Sequence, residues 1–450
     1  MSQDDVIIGI STPYAKGAIS IVRLSGDGAI ELVNKAFKGK DLTKVNSHTI
    51  NYGHIHNSQN EILDEVLVSV FKAPKTYTKE DVVEINCHGG IFVTNLIYET
   101  LVNLGARPAE PGEFTKRAFL NGRIDLTKAE AVMDVIDAEN KVAVKLANQG
   151  INGKIYNLVR DYRQQLLDII AIIDVNIDYP EYDDVEMLTN EKVKPQLDRI
   201  VEKLDKLLND SIGAKYIKEG INTTIIGKPN VGKSTILNAI LKENKAIVTN
   251  IPGTTRDVIE GKVNLENITL NLVDTAGIRN TKNVVEKIGV EKSIQQIDAA
   301  DLVLMILDGS TKITQSEKSL IEKIKDKPHL IIINKTDLIA SKKENPEYIY
   351  ISAHNNEDVE RLEKIIIKKV LKDIDITTSS TYLGNARQIS KLRLAIDSLK
   401  EAKKAIDNDA YIDFVEIYLR DAYNHLGEIT GDTSTTSLLD ELFSKFCLGK

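Results

Sequence analysis

The segment GKPNVGKST, Gly227 to Thr235, constrains this chain more than any other stretch of it. It follows the strand-like run INTTII and precedes the helical run STILNAILK. In the order strand, loop, helix, the pattern G-x-x-x-x-G-K-[ST] has a physical purpose. Glycines let backbone N–H groups curl around phosphate oxygens, and the helix N-terminus adds positive potential. Lys233 reaches the outer phosphates and Ser234 can ligate Mg²⁺. An ordinary glycine turn is the bland alternative, and the flanking strand and helix disfavour it. Around the loop, Ile221 to Leu371 alternates strands with helices, as in a doubly wound α/β sheet.

Three further elements follow in order. DTAG, Asp274 to Gly277, closes the apolar run ITLNLV, which places Asp274 at a strand end beside the metal and Gly277 where a γ-phosphate is sensed. NKTD, Asn334 to Asp337, follows the buried-strand run LIII. A carboxylate there accepts two hydrogen bonds from the N1–H and 2-amino group of guanine, which adenine does not offer. ISA, Ile351 to Ala353, supplies a backbone N–H for the guanine oxygen. Each element alone is usually just a turn, but the four in this order resemble the GTPase family. The residues assigned to GTP are Asn230, Val231, Gly232, Lys233, Ser234 and Thr235; then Asp274, Thr275, Ala276 and Gly277; then Asn334, Lys335, Asp337, Ser352 and Ala353. Between the first two elements lies the switch-like TNIPGTTRD, whose Thr249, Asn250, Ile251, Pro252, Gly253, Thr254 and Thr255 join the same set. Thr255 is placed to complete the Mg²⁺ shell.

The hydrolysis machinery departs from the Ras pattern. A glutamine soon after DTAG orients the attacking water there, whereas this chain continues Ile278, Arg279, Asn280. Either hydrolysis is very slow or another group aligns the water. Glu286 lies at the entrance to a helical run and could do so; a solvated helix-cap glutamate is the alternative. No arginine finger stands out, although Arg256 and Arg279 are near. A bound monovalent cation would neutralise the same charge, and Asn230 is a suitable neutral oxygen donor for it.

The chain of 450 residues is too long for one core, and its length suggests roughly three domains. Its 58 basic and 66 acidic residues leave a net charge of −8, which argues against sequence-independent DNA binding. Two cysteines, Cys87 and Cys447, make no disulfide framework. No apolar run approaches the roughly 20 residues that span a bilayer, and the start MSQDDVIIGI is acidic where a signal peptide needs positive charge. A cytoplasmic protein is expected. From Val6 to about Leu104, VIIGI, AISIVRLSG, DEVLVSVF and DVVEINCHGG read as strands, and AIELVNKAF and FVTNLIYETLVNL as helices, giving an α+β unit. Beyond ARPAEPGEFT the pattern is helical to Ile212, and it is helical again after the polar DITTSSTYLG. The last helices carry little core of their own, so they are expected to pack on those of residues 120–212. The α/β unit is then an insertion in one discontinuous helical domain.

PGEFTKRAFLNGRIDLTKAEAVMDVIDA, Pro111 to Ala138, together with GKPNVGKS, TNIPGTTRD, DTAGIR and the terminal CLGK, resembles the MnmE (TrmE) family of tRNA-modification GTPases nearly end to end. The resemblance implies an N-terminal folate-binding and dimerisation domain (1–118), a discontinuous helical domain (119–214 and 379–450) and an inserted Ras-like GTPase domain (215–378). It implies action at C5 of the wobble uridine of certain tRNAs, with a homodimer joined to an FAD-containing MnmG-type partner in a heterotetramer. The one-carbon donor would be 5-formyl- or methylene-tetrahydrofolate. By matching position, Asn230, Thr249, Ile251 and Thr254 would bind K⁺, Ser234 and Thr255 would bind Mg²⁺, and Glu286 would be catalytic. Pairing of the GTPase domains across the dimer would complete the switch.

For folate the resemblance is carried onto Arg23, Glu80, Arg123 and the terminal Lys450. Cations suit the glutamate carboxylates of a folate, and a carboxylate suits the pterin N–H edge. Cys447 reads either as a reactive thiol near the folate or as a small packed side chain seating the tail. Cys87 beside His88 invites a metal reading, but no further ligands have suitable spacing, so it reads as core or pocket wall. Many relatives have a lysine where this chain has His354, which removes a stacking group. Lys116, Arg117, Arg123 and Lys128 form the dense basic cluster, and the partner is expected to hold most of the tRNA. The competing reading is a GTP-gated RNA- or ribosome-assembly switch without one-carbon chemistry, which leaves the first 120 residues and CLGK unused.

Overall fold

The computed structural model describes residues 5–138, 140–178, 193–241, 259–265, 268–273, 297, 300–338, 345–371, 381–408, 410–433, 435–446 and 449. These divide into two compact units. One comprises Met1–Met133, Gly150–Asp168 and Tyr423–Lys450; the other comprises Asp134–Gln149 and Ile169–Ala422.

The first unit is built on a seven-stranded sheet. Its strands are β1 (Ile7–Ile10), β2 (Ile19–Ser25), β3 (Phe37–Gly39), β4 (Thr49–His56), β5 (Ile62–Phe71), β6 (Val82–His88) and β7 (Arg107–Pro108), in the order β3-β4-β5-β6-β2-β1-β7. Val22, Leu24, Val68, Val70, Val83 and Ile85 point to one face, as the period of two requires, and form one core with the helices Ala29–Ala36 and Ile91–Asn103. The four expected strands and two helices are present. β4 was not expected, because its core face is carried by Asn51, Gly53 and Ile55 while Ile50 and Tyr52 face outward. Asn51 is buried with its amide donating to the Val68 carbonyl (3.3 Å), so a polar residue fills a core position at little cost.

The second unit contains a sheet of six strands. β8 (Ile221–Ile226), β10 (Ile268–Val273), β11 (Leu302–Asp308), β12 (His329–Asn334) and β13 (Tyr348–Tyr350) are parallel, and β9 (Ile259–Leu265) is an antiparallel edge. β11 is buried almost throughout, as expected for a strand covered on both faces. The helix Lys194–Glu219, which leads into β8, packs against Ala386–Asp407, which follows the sheet. Lys194 pairs with Asp407 (2.5 Å), Lys403 with Asp198, and Lys400 with Asp205 (3.0 Å), a descending register that makes the two helices antiparallel. Chain on either side of the sheet is thereby joined.

Both inner boundaries anticipated at the ends of the first two domains fall within helices, Glu113–Leu120 and Lys194–Glu219. Each helix runs to a glycine just beyond it, Gly122 (φ 64°) and Gly220 (φ 78°), where backbone open to glycine stops it. The final segment forms three helices, Ala386–Asp407, Ile412–Thr430 and Thr436–Phe443.

A partly buried ionic cluster holds Asp5 in the first unit. Arg107 and Arg117 both bond to Asp5 and Glu113, and Arg117 also reaches Glu80 (3.3 Å). Burial pushes the Glu113 carboxyl up, but Arg107, the Glu110 N–H and the charge of Arg117 outweigh it and leave it below the ordinary value. A depressed carboxyl stabilises above its unfolded value near 4.3, and the contribution is lost as pH falls through the lower folded value. Glu113→Gln should therefore cost about 3 kcal/mol at neutral pH. Urea titrations should find the gap from the native chain closing as pH falls below the unfolded value near 4.3, and a gap independent of pH would contradict the linkage.

Candidate functional site

In the second unit, β8 lies between β11 and β10 and delivers the phosphate loop at the end of the sheet. Three of its residues have positive φ: Gly227 (149°), Asn230 (65°) and Gly232 (97°). A Cβ on Gly227 would stand 2.3 Å from the Ile306 oxygen, and one on Gly232 would stand 2.1 Å from Asn334 Nδ2. Both glycines are therefore required by close approach as well as by backbone conformation. Val231 is buried and anchors the loop in the core. Lys233, Ser234 and Thr235 open the helix Lys233–Leu241, where unpaired N–H groups favour an anion. Lys233 Nζ donates to the carbonyls of Gly227 (2.6 Å) and Lys228 (2.7 Å), and burial pulls its ammonium below the ordinary lysine value.

The guanine-side residues gather at the neighbouring strand ends. Asn334 closes β12 and is buried; its Nδ2 donates to the Val231 carbonyl (2.9 Å), and its Oδ1 accepts from the Ala353 N–H (3.1 Å). One amide thus ties the phosphate loop to the loop after β13. Asp337 Oδ1 accepts from Ser352 Oγ (2.8 Å). Lys335 sits at φ 63°, and its ammonium meets Asp308 Oδ2 at 2.6 Å. Sequence reasoning missed Asp308; the available signal was an acid closing the apolar run of β11. Asp358 was missed too, and it accepts the Ser352 N–H (2.8 Å). The N–H groups of Ser352 and Ala353, expected to meet the guanine oxygen, are both held by side chains of the same unit.

Of the remaining nucleotide residues, Thr249, Asn250, Ile251, Pro252, Gly253, Thr254, Thr255, Asp274, Thr275, Ala276 and Gly277 lie outside the described residues, as does Glu286. β10 ends at Val273, one residue before Asp274.

The first unit holds a cavity of about 450 Å³, lined among others by Phe71, Tyr77, Val82, Glu84 and Arg123. Arg23 on β2 and Glu84 on β6 are cross-strand partners, so their side chains share the face opposite the core. Arg23 Nε donates to Glu84 Oε1 (2.8 Å), and its Nη1 donates to the Gly449 carbonyl (3.1 Å). Gly449 has φ 83°, and a Cβ there would stand 2.4 Å from the Ile10 oxygen, which explains the glycine of the terminal motif. Arg123 lies over the Tyr77 ring at 5.0 Å. Arg23 and Arg123 are thus brought to one region. Glu80 is not among the lining residues: its carboxylate accepts from Ser25 Oγ (2.7 Å) and from Arg117 in the ionic cluster. Glu84 does line the cavity, and cross-strand alternation with Arg23 was the signal that places it on that face. Cys447 and Lys450 lie outside the described residues.

The basic cluster is largely neutralised. Lys116 pairs with Asp440 (2.6 Å), Lys128 with Asp125 (3.6 Å), and Arg117 with Asp5, Glu80 and Glu113. Cys87 is buried and its thiol is pushed up by burial, and among the described residues no group of His, Cys, Asp or Glu could hold a metal ion. No described helix is long and apolar enough to cross a membrane.

The GTP-binding protein TrmE N-terminus pattern matches residues 6–123, and the MnmE helical domain pattern matches residues 126–447. The tRNA modification GTPase MnmE of Streptococcus thermophilus is 49% identical over 450 residues, covering 99% of this chain and 98% of that protein. The protein of the same description from Ligilactobacillus salivarius is 49% identical over 455 residues, at 99% and 98% coverage. This chain belongs to the MnmE family of tRNA modification GTPases. Among solved structures, Era of Aquifex aeolicus aligns at 27% identity over 40% of this chain and 66% of that one, with a TM-score of 0.27, too low to bear on the fold. Family membership makes the phosphate loop and the Asn334 cluster parts of a GTPase.

The Asp308–Lys335 pair generates a test within that GTPase. Asp308→Asn and Lys335→Met should each weaken GDP binding by about fivefold. The double variant should bind no more weakly than Lys335→Met alone, because Asp308 acts through Lys335. Fluorescent-nucleotide titration with additive losses would contradict the coupling.

Proposed function

We propose that this family member is a K⁺-stimulated GTPase whose N-terminal unit carries a tetrahydrofolate one-carbon donor for modification of C5 of the tRNA wobble uridine. The observation that carries the folate part is the cavity bordered by Glu84 and Arg123, with Arg23 bonded to both Glu84 and Gly449. It offers a carboxylate for a pterin N–H edge and guanidinium groups for anionic carboxylates. Lys450 directly follows Gly449 and joins this set in the proposal. A tetrahydrofolate bound there would supply the one-carbon unit; the chain's own residues orient its ring and hold its charge. Cys447, two residues before Gly449, keeps both its readings, as thiol or as packed side chain.

The GTPase half rests on a nucleotide site whose parts fit the group. The positive-φ loop and Lys233 suit phosphate, and Asp337 suits the guanine edge. Ser234 and Thr255 are assigned to hold Mg²⁺, which would supply positive charge against the phosphates. Asn230, exposed in the loop at φ 65°, is assigned with Thr249, Ile251 and Thr254 to K⁺. Glu286 is assigned to orient water, since Ile278 cannot do so by hydrogen bonding.

A homodimer is supported by the outer face of the seven-stranded sheet. Tyr52 lies opposite Leu67, and these residues are 60% and 47% exposed, an apolar surface unusual for water. The neutralised basic cluster supports an FAD-containing MnmG-type partner that holds most of the tRNA, in a cytoplasmic heterotetramer. The assignment of 1–118, 119–214 with 379–450, and 215–378 to three domains stands as part of this reading, with the first two boundaries moved to Gly122 and Gly220. The ribosome-assembly reading leaves the cavity without a use.

GTP turnover should rise at least tenfold when KCl replaces NaCl at equal ionic strength; equal rates would remove K⁺ from the reading. Nucleoside analysis of tRNA from a deletion strain should find wobble uridines lacking their C5 substituent. Unchanged uridines with immature ribosomal subunits would overturn the modification assignment in favour of the assembly switch.

A further inference from the structure

The cavity of the N-terminal unit carries more positive charge than a folate with a single glutamate uses. Its lining includes Lys75, Lys79 and Arg123 against the one carboxylate of Glu84. That carboxylate is already paired with Arg23 (2.7 Å), so it does not offset the three cations. Arg123 lies over Tyr77 and faces an aromatic ring, a position suited to a group inside the cavity. Lys75 and Lys79 are exposed and belong to the rim.

Lys79 has a defined place there. Its ammonium donates to the carbonyls of Asn121 (2.8 Å) and Gly122 (3.2 Å), and so steadies the turn that presents Arg123. Carbonyl oxygens leave the charge of the ammonium uncancelled. Its backbone sits at φ 62°, a conformation that costs a non-glycine residue and that concentrates at ligand sites.

Size decides where the excess charge acts. A cavity of about 450 Å³ falls within the range of roughly 300–1,000 Å³ that encloses a compact drug-sized ligand. A pteridine, an aminobenzoyl ring and one glutamate occupy such a space. Further γ-linked glutamyl residues must leave it across the rim, each adding one carboxylate where Lys75 and Lys79 stand. We propose that the physiological ligand of this cavity is an oligo-γ-glutamyl tetrahydrofolate, and that Lys75 and Lys79 read its tail. The inference rests on the folate reading above and narrows it to a substrate class.

The test is calorimetric titration of the full chain with 5-formyltetrahydrofolate in its monoglutamate and triglutamate forms. The triglutamate should bind about tenfold tighter at low salt, and the ratio should shrink toward one near 1 M salt as exposed charges are screened. Lys75→Glu should bring the low-salt ratio to about one, and Lys79→Gln should reduce it severalfold. Because Lys75 is exposed, its variant reads the tail even if Lys79→Gln disturbs the Arg123 turn. Equal affinities in the native chain would overturn the proposal while leaving the folate reading intact. A ratio that survives both substitutions would overturn the assignment to these lysines. Binding of neither form would defeat the folate reading itself. Equal affinities accompanied by weaker tRNA binding in Lys75→Glu would give the rim to RNA phosphates instead.

Discussion

The side-chain amide of Asn334 is the interaction on which the nucleotide half of this protein depends. It sits in a core position, where an unpaired amide would be costly, and it meets both requirements at once by holding Val231 and Ala353. The consequence is geometric. A loop shaped for phosphate and a loop shaped for a base, separated by more than a hundred residues, acquire a fixed spacing. Gly232 is a glycine for the same reason, since the amide occupies the space that a Cβ would need.

The N-terminal unit follows a parallel logic with charge in place of an amide. Arg23 and Glu84 meet because β2 and β6 are neighbours in register, and Arg23 then reaches the backbone of Gly449. Gly449 is thereby seated beside the first strands. A second group of acids and arginines, around Arg117, draws Glu80 and Asp5 together away from the cavity lining. Two carboxylates four residues apart in sequence thus have separate duties: Glu80 stabilises the fold, and Glu84 borders the cavity.

Much of the nucleotide site was legible in the chain itself. Phosphate binding needs glycines, a lysine and a hydroxyl at fixed spacing, because backbone geometry at one turn does the work; such a site is local and can be read locally. Asp308 and Asp358 were not legible. Asp308 closes an apolar run, but its partner Lys335 lies on the next strand's loop, and Asp358 turns back to the Ser352 N–H from within a helix, so neither partner follows from periodicity. β4 was missed for a related reason: Ile50 and Tyr52 face outward while Asn51 and Gly53 share the core face with Ile55, so alternation alone does not assign its faces, and the Asn51 hydrogen bond explains how the core accepts an amide.

By itself the sequence determined the class of fold, the nucleotide loop and the family, since these rest on short-range patterns of residue type. The tertiary structure alone decided which acid borders the cavity of the first unit and what became of the basic cluster. It also placed three cations against one already paired carboxylate. Charges act through space rather than along the chain, so their partners, and therefore their uses, are settled only when strands and helices are brought side by side.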